Sequence, residues 1–252
     1  MTWNQFFNSI LKEVEEVRTH SEYPSRHPIF RGLSDNTYDL LPSLFRNLPH
    51  KTRLLDYEQG MYLLFEAQSG IFYPNSKRSS WEILYEMRHH GLPTRLLDWT
   101  GNFAVALFFA LRKFNQSSDN QRTPCIWILN PANVNFDSVK TKKVLSIASQ
   151  EPLDYKKLYL RTPIAIKNPV VIFPIKNNSR LLSQNSYFTV HGRNSKPLNE
   201  IYPDYVKQID IPKKIIPSAK KFLNLININE YTLYHDLDGL GRYMQEHYCQ
   251  NF

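Results

Sequence analysis

HHGLPTRLLDWTGNFAVALFFAL, residues 89–111, joins two opposite kinds of chemistry. Its second half, Phe103 to Leu111, is an unbroken apolar run that opens a helix read over Phe103 to Phe114, which has no face to offer water and is buried. Its first half reads as a loop carrying His89, His90, Thr94, Arg95, Asp98, Trp99 and Thr100, groups that move protons, bind anions or stack on rings, with Pro93 to stiffen it. Because the helix lies inside the molecule, so does its start around Trp99 to Asn102. A buried helix start presents free N–H groups and the positive end of the dipole to an anion. A plainer reading makes Asp98 or Thr100 the N-cap.

On the N-terminal side, IFRGLSDNTYDLLPSLFR (residues 29–46) is a short apolar strand that delivers Arg31 and then Gly32. A guanidinium at a strand end is a planar five-donor fork, and glycine beside it lets a ligand or another backbone approach. The fork suits a phosphate or carboxylate ligand, or equally an internal acid such as Asp35 or Asp39. Further upstream, Trp3, Phe6, Phe7, Ile10, Leu11, Val14 and Val17 recur at helical spacing and form a bracing helix. Segments of about 54–68 and 81–88 are also helical, separated by the loop SGIFYPNSKRSS.

Downstream the texture changes. CIWIL (125–129), VVIFPI (170–175), YFTV (187–190) and VKQIDI (206–211) are β-branched or aromatic runs bounded by Pro, Asn and Gly, hence strands. Helical spacing returns in SAKKFLNLI and in LDGLGRYMQEHY. The order helices, strands, helices, without βαβα alternation or a repeat, predicts one α+β domain.

Composition narrows the function classes. With 42% apolar residues the chain has ample material for a core. Its two cysteines, Cys125 and Cys249, sit in apolar or aromatic surroundings and are too few for a disulfide scaffold or a thiolate zinc site, which points to the cytoplasm. The longest apolar run, Phe103 to Leu111, falls far short of the roughly 18–20 residues that cross a bilayer, and the N-terminus is amphipathic and acidic rather than a leader, so no membrane partner is expected. Of the net charge of +8, most lies between Lys140 and Arg180, where nine Lys or Arg face only Glu151 and Asp154. This stretch is either a surface for nucleic acid or simply a solvated face. The chain has no Walker loop, GxGxxG, HExxH, GxSxG or CxxC, and no third ligand near the histidine pair, so no metal is expected.

FRG near the start, LLPSLFR after it, HHGLPTRLLDWT and AVALFFA together resemble the FRG domain family, named for its Phe/Tyr-Arg-Gly. RLLSQNSYFTV (180–190) and LYHDLDGLGRY (233–243) resemble that family's C-terminal pattern, which implies a domain over 29–243 with a helical brace at 1–28 and a tail at 244–252. Where the family shows Gln-His-Tyr before GLPTR, this chain has His89-His90. More distantly, Phe30-Arg31-Gly32 and Asp98-Trp99-Thr100 followed by Ala106-Leu107-Phe108-Phe109-Ala110 resemble the arginine-class ADP-ribosyltransferases, with their Ser-Thr-Ser replaced. That resemblance implies an α+β fold with a split, mostly antiparallel sheet surrounded by helices and a cleft between the FRG strand, the GLPTRLLDWT loop and an RLLSQ strand. It implies NAD as cofactor, held by Arg31, Gly32, Thr94, Arg95, Trp99, Thr100 and Phe188, with Asp98, His90 or Gln184 at the reacting ribose. The superfamily's catalytic Glu falls at Gln184, which keeps a hydrogen bond but supplies no charge, so Asp98 becomes the substitute carboxylate. The expected role is a cytoplasmic toxin or phage-defence effector. The alternatives are a non-catalytic nucleotide- or nucleic-acid-binding module, a metal-independent nuclease using the histidine pair, or a structural protein.

Overall fold

The computed structural model describes residues 1–19, 27–47, 53–73, 77–112, 114, 122–147, 154–175 and 179–249. The chain runs α1 (Trp3–Thr19), β1 (Ile29–Leu33), α2 (Ser43–Asn47), α3 (Leu54–Ser69), α4 (Ser80–His89), β2 (Leu96–Thr100) and α5 (Phe103–Arg112). It continues through β3 (Cys125–Leu129), α6 (Pro131–Val139), β4 (Leu145–Ser146), α7 (Tyr155–Tyr159), β5 (Val170–Phe173), α8 (Ser179–Ser183) and β6 (Ser186–Val190). It closes with α9 (Leu198–Ile201), β7 (Val206–Asp210), α10 (Ile216–Leu225), α11 (Glu230–Tyr234) and α12 (Leu237–Met244). The class is α+β, but the order is not helices, strands, helices: at least one helix lies between every two successive strands, and it is the mostly antiparallel pairing, not the order of elements, that separates the fold from a doubly wound one.

The seven strands form one sheet, β4-β5-β6-β2-β1-β3-β7, antiparallel throughout except for the β4–β5 pair. It is one mixed sheet rather than two, so the expected split takes another form. Strand β2 runs in full register with β6, from Leu96↔Val190 to Thr100↔Ser186, and β1 runs in full register with β3. Between β1 and β2 only Phe30↔Thr100 are paired. The sheet is therefore hydrogen-bonded through its centre at one point and splays open beyond it, at Arg31–Leu33 on one side and Leu96–Trp99 on the other.

Helices cover the two halves separately. Over β1, β3 and β7, an apolar cluster joins Phe6 and Ile10 of α1, the body of α5 and Ile216, Ala219 and Leu223 of α10 to Phe30, Ile126 and Ile128. Over β2, β5 and β6, a second joins Tyr62, Trp81, Leu84, Tyr155 and Tyr159 to Leu96, Phe188 and Val190. A third, with Leu97, Trp99, Trp127, Val134 and Tyr202, fills the opposite side of the strands. Gly32 is dictated by the first of these: a Cβ there would come within 1.8 Å of the Ala106 carbonyl oxygen, so its missing side chain serves the approach of α5 to β1 rather than that of a ligand.

Several local expectations change. The chemical half of 89–111 is a loop only to Arg95, after which LLDWT is strand β2, with Leu97 and Trp99 on one face and Leu96, Asp98 and Thr100 on the other. Its period of two is hard to see because one face mixes leucine with polar groups. The residue that caps the start of α5 is neither Asp98 nor Thr100 but Asn102, whose Oδ1 accepts from Ala104 N–H at 2.9 Å, while Thr100 Oγ1 supports it by accepting from Asn102 N–H at 3.0 Å. RLLSQ is not a strand: Arg180 to Ser183 lie in helix α8, and Gln184 with Asn185, the latter at φ 44°, turns the chain into β6. On α1, Leu11 faces solvent, and Cys249 is exposed while Cys125 is buried. No helix among the described residues is long and apolar enough to cross a membrane. Of the basic stretch, residues 148–153 and 176–178 lie outside the described residues; Lys140, Lys142, Lys143, Lys157, Arg161 and Lys167 are exposed, and Lys156 pairs with Glu66 at 2.7 Å.

Candidate functional site

A cleft of about 550 Å³ opens where β1 and β2 part. Its floor is Phe30 to Ser34 and Asp98 to Thr100. One wall is the face of α4 that carries Glu82, Tyr85, Glu86 and His89, residues at helical spacing; the others bring Arg46 of α2, Phe109 and Arg112 of α5, and Arg180, Leu181 and Gln184 at α8. Helix α4 is fixed at its start by a capping box between Ser79 and Glu82 and ends just before Gly91, at φ 81°. Tyr85 stacks on Phe188 with ring centroids 5.0 Å apart.

The centre of the floor is a cluster of charge. Arg31 Nη1 donates to the Asp98 carbonyl oxygen at 2.6 Å, filling a main-chain acceptor that the splay leaves without a strand partner, and lies 3.6 Å from its carboxylate. Arg88 grips that carboxylate from the other side, Nη2 to Oδ2 at 2.5 Å and Nε to Oδ1 at 3.4 Å. Partial burial in the cleft pushes the Asp98 carboxyl up, but Arg88 and Arg31, with a smaller pull from Arg180, outweigh it and hold it well below the ordinary range. Arg31 is itself brought down to about 10, chiefly by burial, against the pull of Asp98 and with help from Arg88 and Arg46. Asp98 is thus an anion with its charge already matched, a weak proton acceptor at neutral pH.

The remaining cations differ in what they touch. Arg112 pairs with Glu230 and donates to Tyr234 Oη at 2.6 Å. Arg180 stands over the Tyr234 ring at 4.7 Å, and neither it nor Arg46 has a carboxylate within ion-pair distance among the described residues. Both are unspent guanidinium groups at a concave surface. Tyr38, also lining the cleft, is 42% exposed and has no ring partner among the described residues.

Measured against the sequence expectations, Arg31, Gly32, Asp98, Thr100, Phe188 and Gln184 do converge here. Thr100 Oγ1 donates to the Gln184 carbonyl at 2.6 Å, and Gln184 Nε2 donates to the Leu233 carbonyl at 3.2 Å. Four residues are placed otherwise. Arg95 is fully buried: it donates to Glu58 through Nε at 2.7 Å and again through Nη2, and to the carbonyls of His191 at 2.6 Å and Gly192 at 3.1 Å. It holds no phosphate. Thr94 is buried beside it, outside the cleft. The Trp99 side chain packs in the core of the far face and donates to Thr189 Oγ1 at 3.1 Å, so it cannot stack on a ligand. His90 is exposed and turned toward Phe65, and it is His89 that reaches the cleft, its pKa lowered by burial and by Arg180. Arg46, Arg88, Arg180, Tyr38 and Tyr85 were missed. Arg46 and Arg180 had a signal, since both sit inside the quoted motifs; Tyr85 and Arg88 follow from the spacing of α4 once a cleft is known to lie beside it.

The Phe-Arg-Gly strand, LLDWT and the apolar helix close beneath Gly32 are the segments whose sequences carry the family resemblance, and the first two floor the cleft. Residues 26–119 match the model of the FRG domain family. The match takes in β1 to α5, and Arg180, Gln184 and Phe188 complete the cleft from beyond it. No curated protein and no solved structure matches the chain.

Proposed function

We propose that the cleft of the FRG domain binds a phosphate-bearing nucleotide, NAD or ADP-ribose being the candidate that the motif resemblance implies. The observation that carries this reading is the pair Arg46 and Arg180, guanidinium groups that line the cleft and have no carboxylate within ion-pair distance among the described residues. Planar five-donor cations left unpaired at a concave surface suit phosphate oxygens, and a cleft of this volume suits a ligand of that size. Tyr38 is an exposed ring available for stacking, whereas Trp99 packs in the core and Phe188 is stacked on Tyr85. A thermal-shift panel of NAD, ADP-ribose, ATP and short RNA and DNA tests it: the dinucleotide and its ADP-ribose portion raise the melting temperature, and a flat response across the panel contradicts the reading.

A second reading, transfer of ADP-ribose by a cytoplasmic toxin or phage-defence effector, is favoured by the convergence of Asp98 and Gln184 with Arg31 in one cleft. Asp98 would supply negative charge beside a developing oxocarbenium ion, and Gln184 a hydrogen bond. With Asp98 already matched by two arginines, the geometry favours binding over transfer. Asp98→Asn separates them: loss of NAD consumption with NAD affinity retained supports transfer, whereas no NAD consumption by the wild type leaves binding alone. The exposed basic residues from Lys140 to Lys167 support nucleic acid as a further partner.

A further inference from the structure

Eight buried side-chain polar atoms have no hydrogen-bond partner among the described residues, and they belong to seven side chains: Arg31, Ser69, Tyr85, Thr94, Trp127, Asn133 and His191. Only Arg31, through Nε, and Tyr85, through its hydroxyl, also line the cleft. An unpaired buried donor is costly, on the order of 1–3 kcal/mol, and folded proteins leave few of them. Two of them, on residues from a strand and from the facing helix, line one cleft, where a bound molecule has room to complete the bonding.

Tyr85 is the more informative of the two. It is 7% exposed, and its ring is held against Phe188, so the hydroxyl is carried by a side chain that packing has already fixed. Arg31 Nε can only donate, so what it lacks is an acceptor. Burial pushes the Tyr85 hydroxyl well above the usual phenol range, and it enters any contact as an O–H. Arg31 Nε therefore calls for an oxygen acceptor, to which the Tyr85 O–H can also donate, and a cleft with unspent arginines favours an anionic one.

We propose that Tyr85 is a specificity-determining residue of the cleft, its hydroxyl donating to a phosphate oxygen of the bound nucleotide. The proposal rests on the nucleotide reading above and deepens it, since it names the part of the ligand that the α4 wall recognises. A site built to hydrogen-bond an oxygen discriminates against ligands that lack it, because the buried donor is then left unpaired.

Tyr85→Phe tests the proposal, because it keeps the stacked ring and removes only the hydroxyl. The wild type and the variant are titrated with ADP-ribose, pyrophosphate and adenosine, and both are melted without ligand. The expected result is a change of opposite sign in the two measurements: a melting temperature equal to or above that of the wild type, since an unpaired buried group is gone, with ADP-ribose and pyrophosphate bound roughly tenfold more weakly. Adenosine, which has no phosphate, is bound alike by both. A lower melting temperature overturns the proposal by showing that the hydroxyl is partnered in the free protein. Equal ADP-ribose affinity overturns it while leaving the nucleotide reading intact, and an equal loss for adenosine overturns it by placing the hydroxyl on sugar or base. Failure of the wild type to bind ADP-ribose or pyrophosphate overturns the nucleotide reading and the proposal together.

Discussion

Arg95 and Arg31 both lie against strand β2, and the structure uses them in opposite ways. Arg95 is closed on every side: Glu58 and two main-chain carbonyls take its donors, and Tyr159 faces it at 5.0 Å. Arg31 gives one bond to a carbonyl freed by the splay, stands 3.6 Å from a carboxylate shared with Arg88, and keeps an unpartnered Nε. The lesson is that a guanidinium with all its donors spent on the protein is scaffold, and one with donors to spare at a concave surface is available to a ligand. The same sorting separates Arg112, tied to Glu230, from Arg46 and Arg180.

The largest effect expected from this contrast is on stability. Glu58→Gln or Arg95→Met leaves one member of a fully buried ion pair without its partner, which costs roughly 3–5 kcal/mol. Urea unfolding measures it, and replacing both members together should cost less than either single change. A normally stable Arg95→Met protein that has lost nucleotide binding would move Arg95 back to the ligand and break the comparison. Gly32→Ala comes next: its Cβ would meet the Ala106 carbonyl oxygen at 1.8 Å, and forcing α5 away from β1 should cost about 1–3 kcal/mol in the same experiment.

The two regions also differ in their response to acid. His191, whose carbonyl Arg95 grips, is fully buried, and burial followed by the charge of Arg95 lowers its pKa to about 3. The unfolded chain binds a proton near pH 6.5 and the folded chain does not, so the stabilising contribution is whole above about pH 6.5 and is lost as pH falls toward 3. His191→Leu should remove up to about 1.4 kcal/mol per pH unit from the slope of stability over that range. Asp98 behaves as a depressed carboxylate: its contribution is present above the ordinary carboxylate range and is lost below it. Because its side chain is 44% exposed, solvent screens the pair with Arg88, and Asp98→Asn should cost no more than about 1 kcal/mol at neutral pH.

How much of this was legible in the sequence follows from which signals are local. The β-branched runs, the all-apolar α5 and the spacing of α3 and α4 are patterns within a few residues, and those elements stand where they were read. That the FRG, DWT and Gln184 segments line one cleft has no local signal in the sequence; the expectation that they meet came from the motif resemblance alone. What escaped depends on partners far along the chain. Arg95 looked like a ligand group because its acid, Glu58, is on another helix, and no local pattern pairs them. Trp99 and Asp98 are adjacent in sequence but point to opposite faces, a fact visible only once LLDWT is known to be a strand. The histidine assignment failed by one residue for a similar reason: His89 ends the α4 face that meets the cleft, and His90 has already turned away. The single sheet with a splayed centre depends on a register that composition does not encode.

The central claim is that unspent arginines at the splay bind phosphate, and calorimetric titration of ADP-ribose into the wild type, Arg46→Ala and Arg180→Ala tests it most directly. The account predicts measurable binding by the wild type, weakened about 10- to 100-fold in each variant, the loss of one hydrogen-bonded charge, with melting temperatures unchanged. Undiminished binding in both variants, or no heat from the wild type, would contradict it.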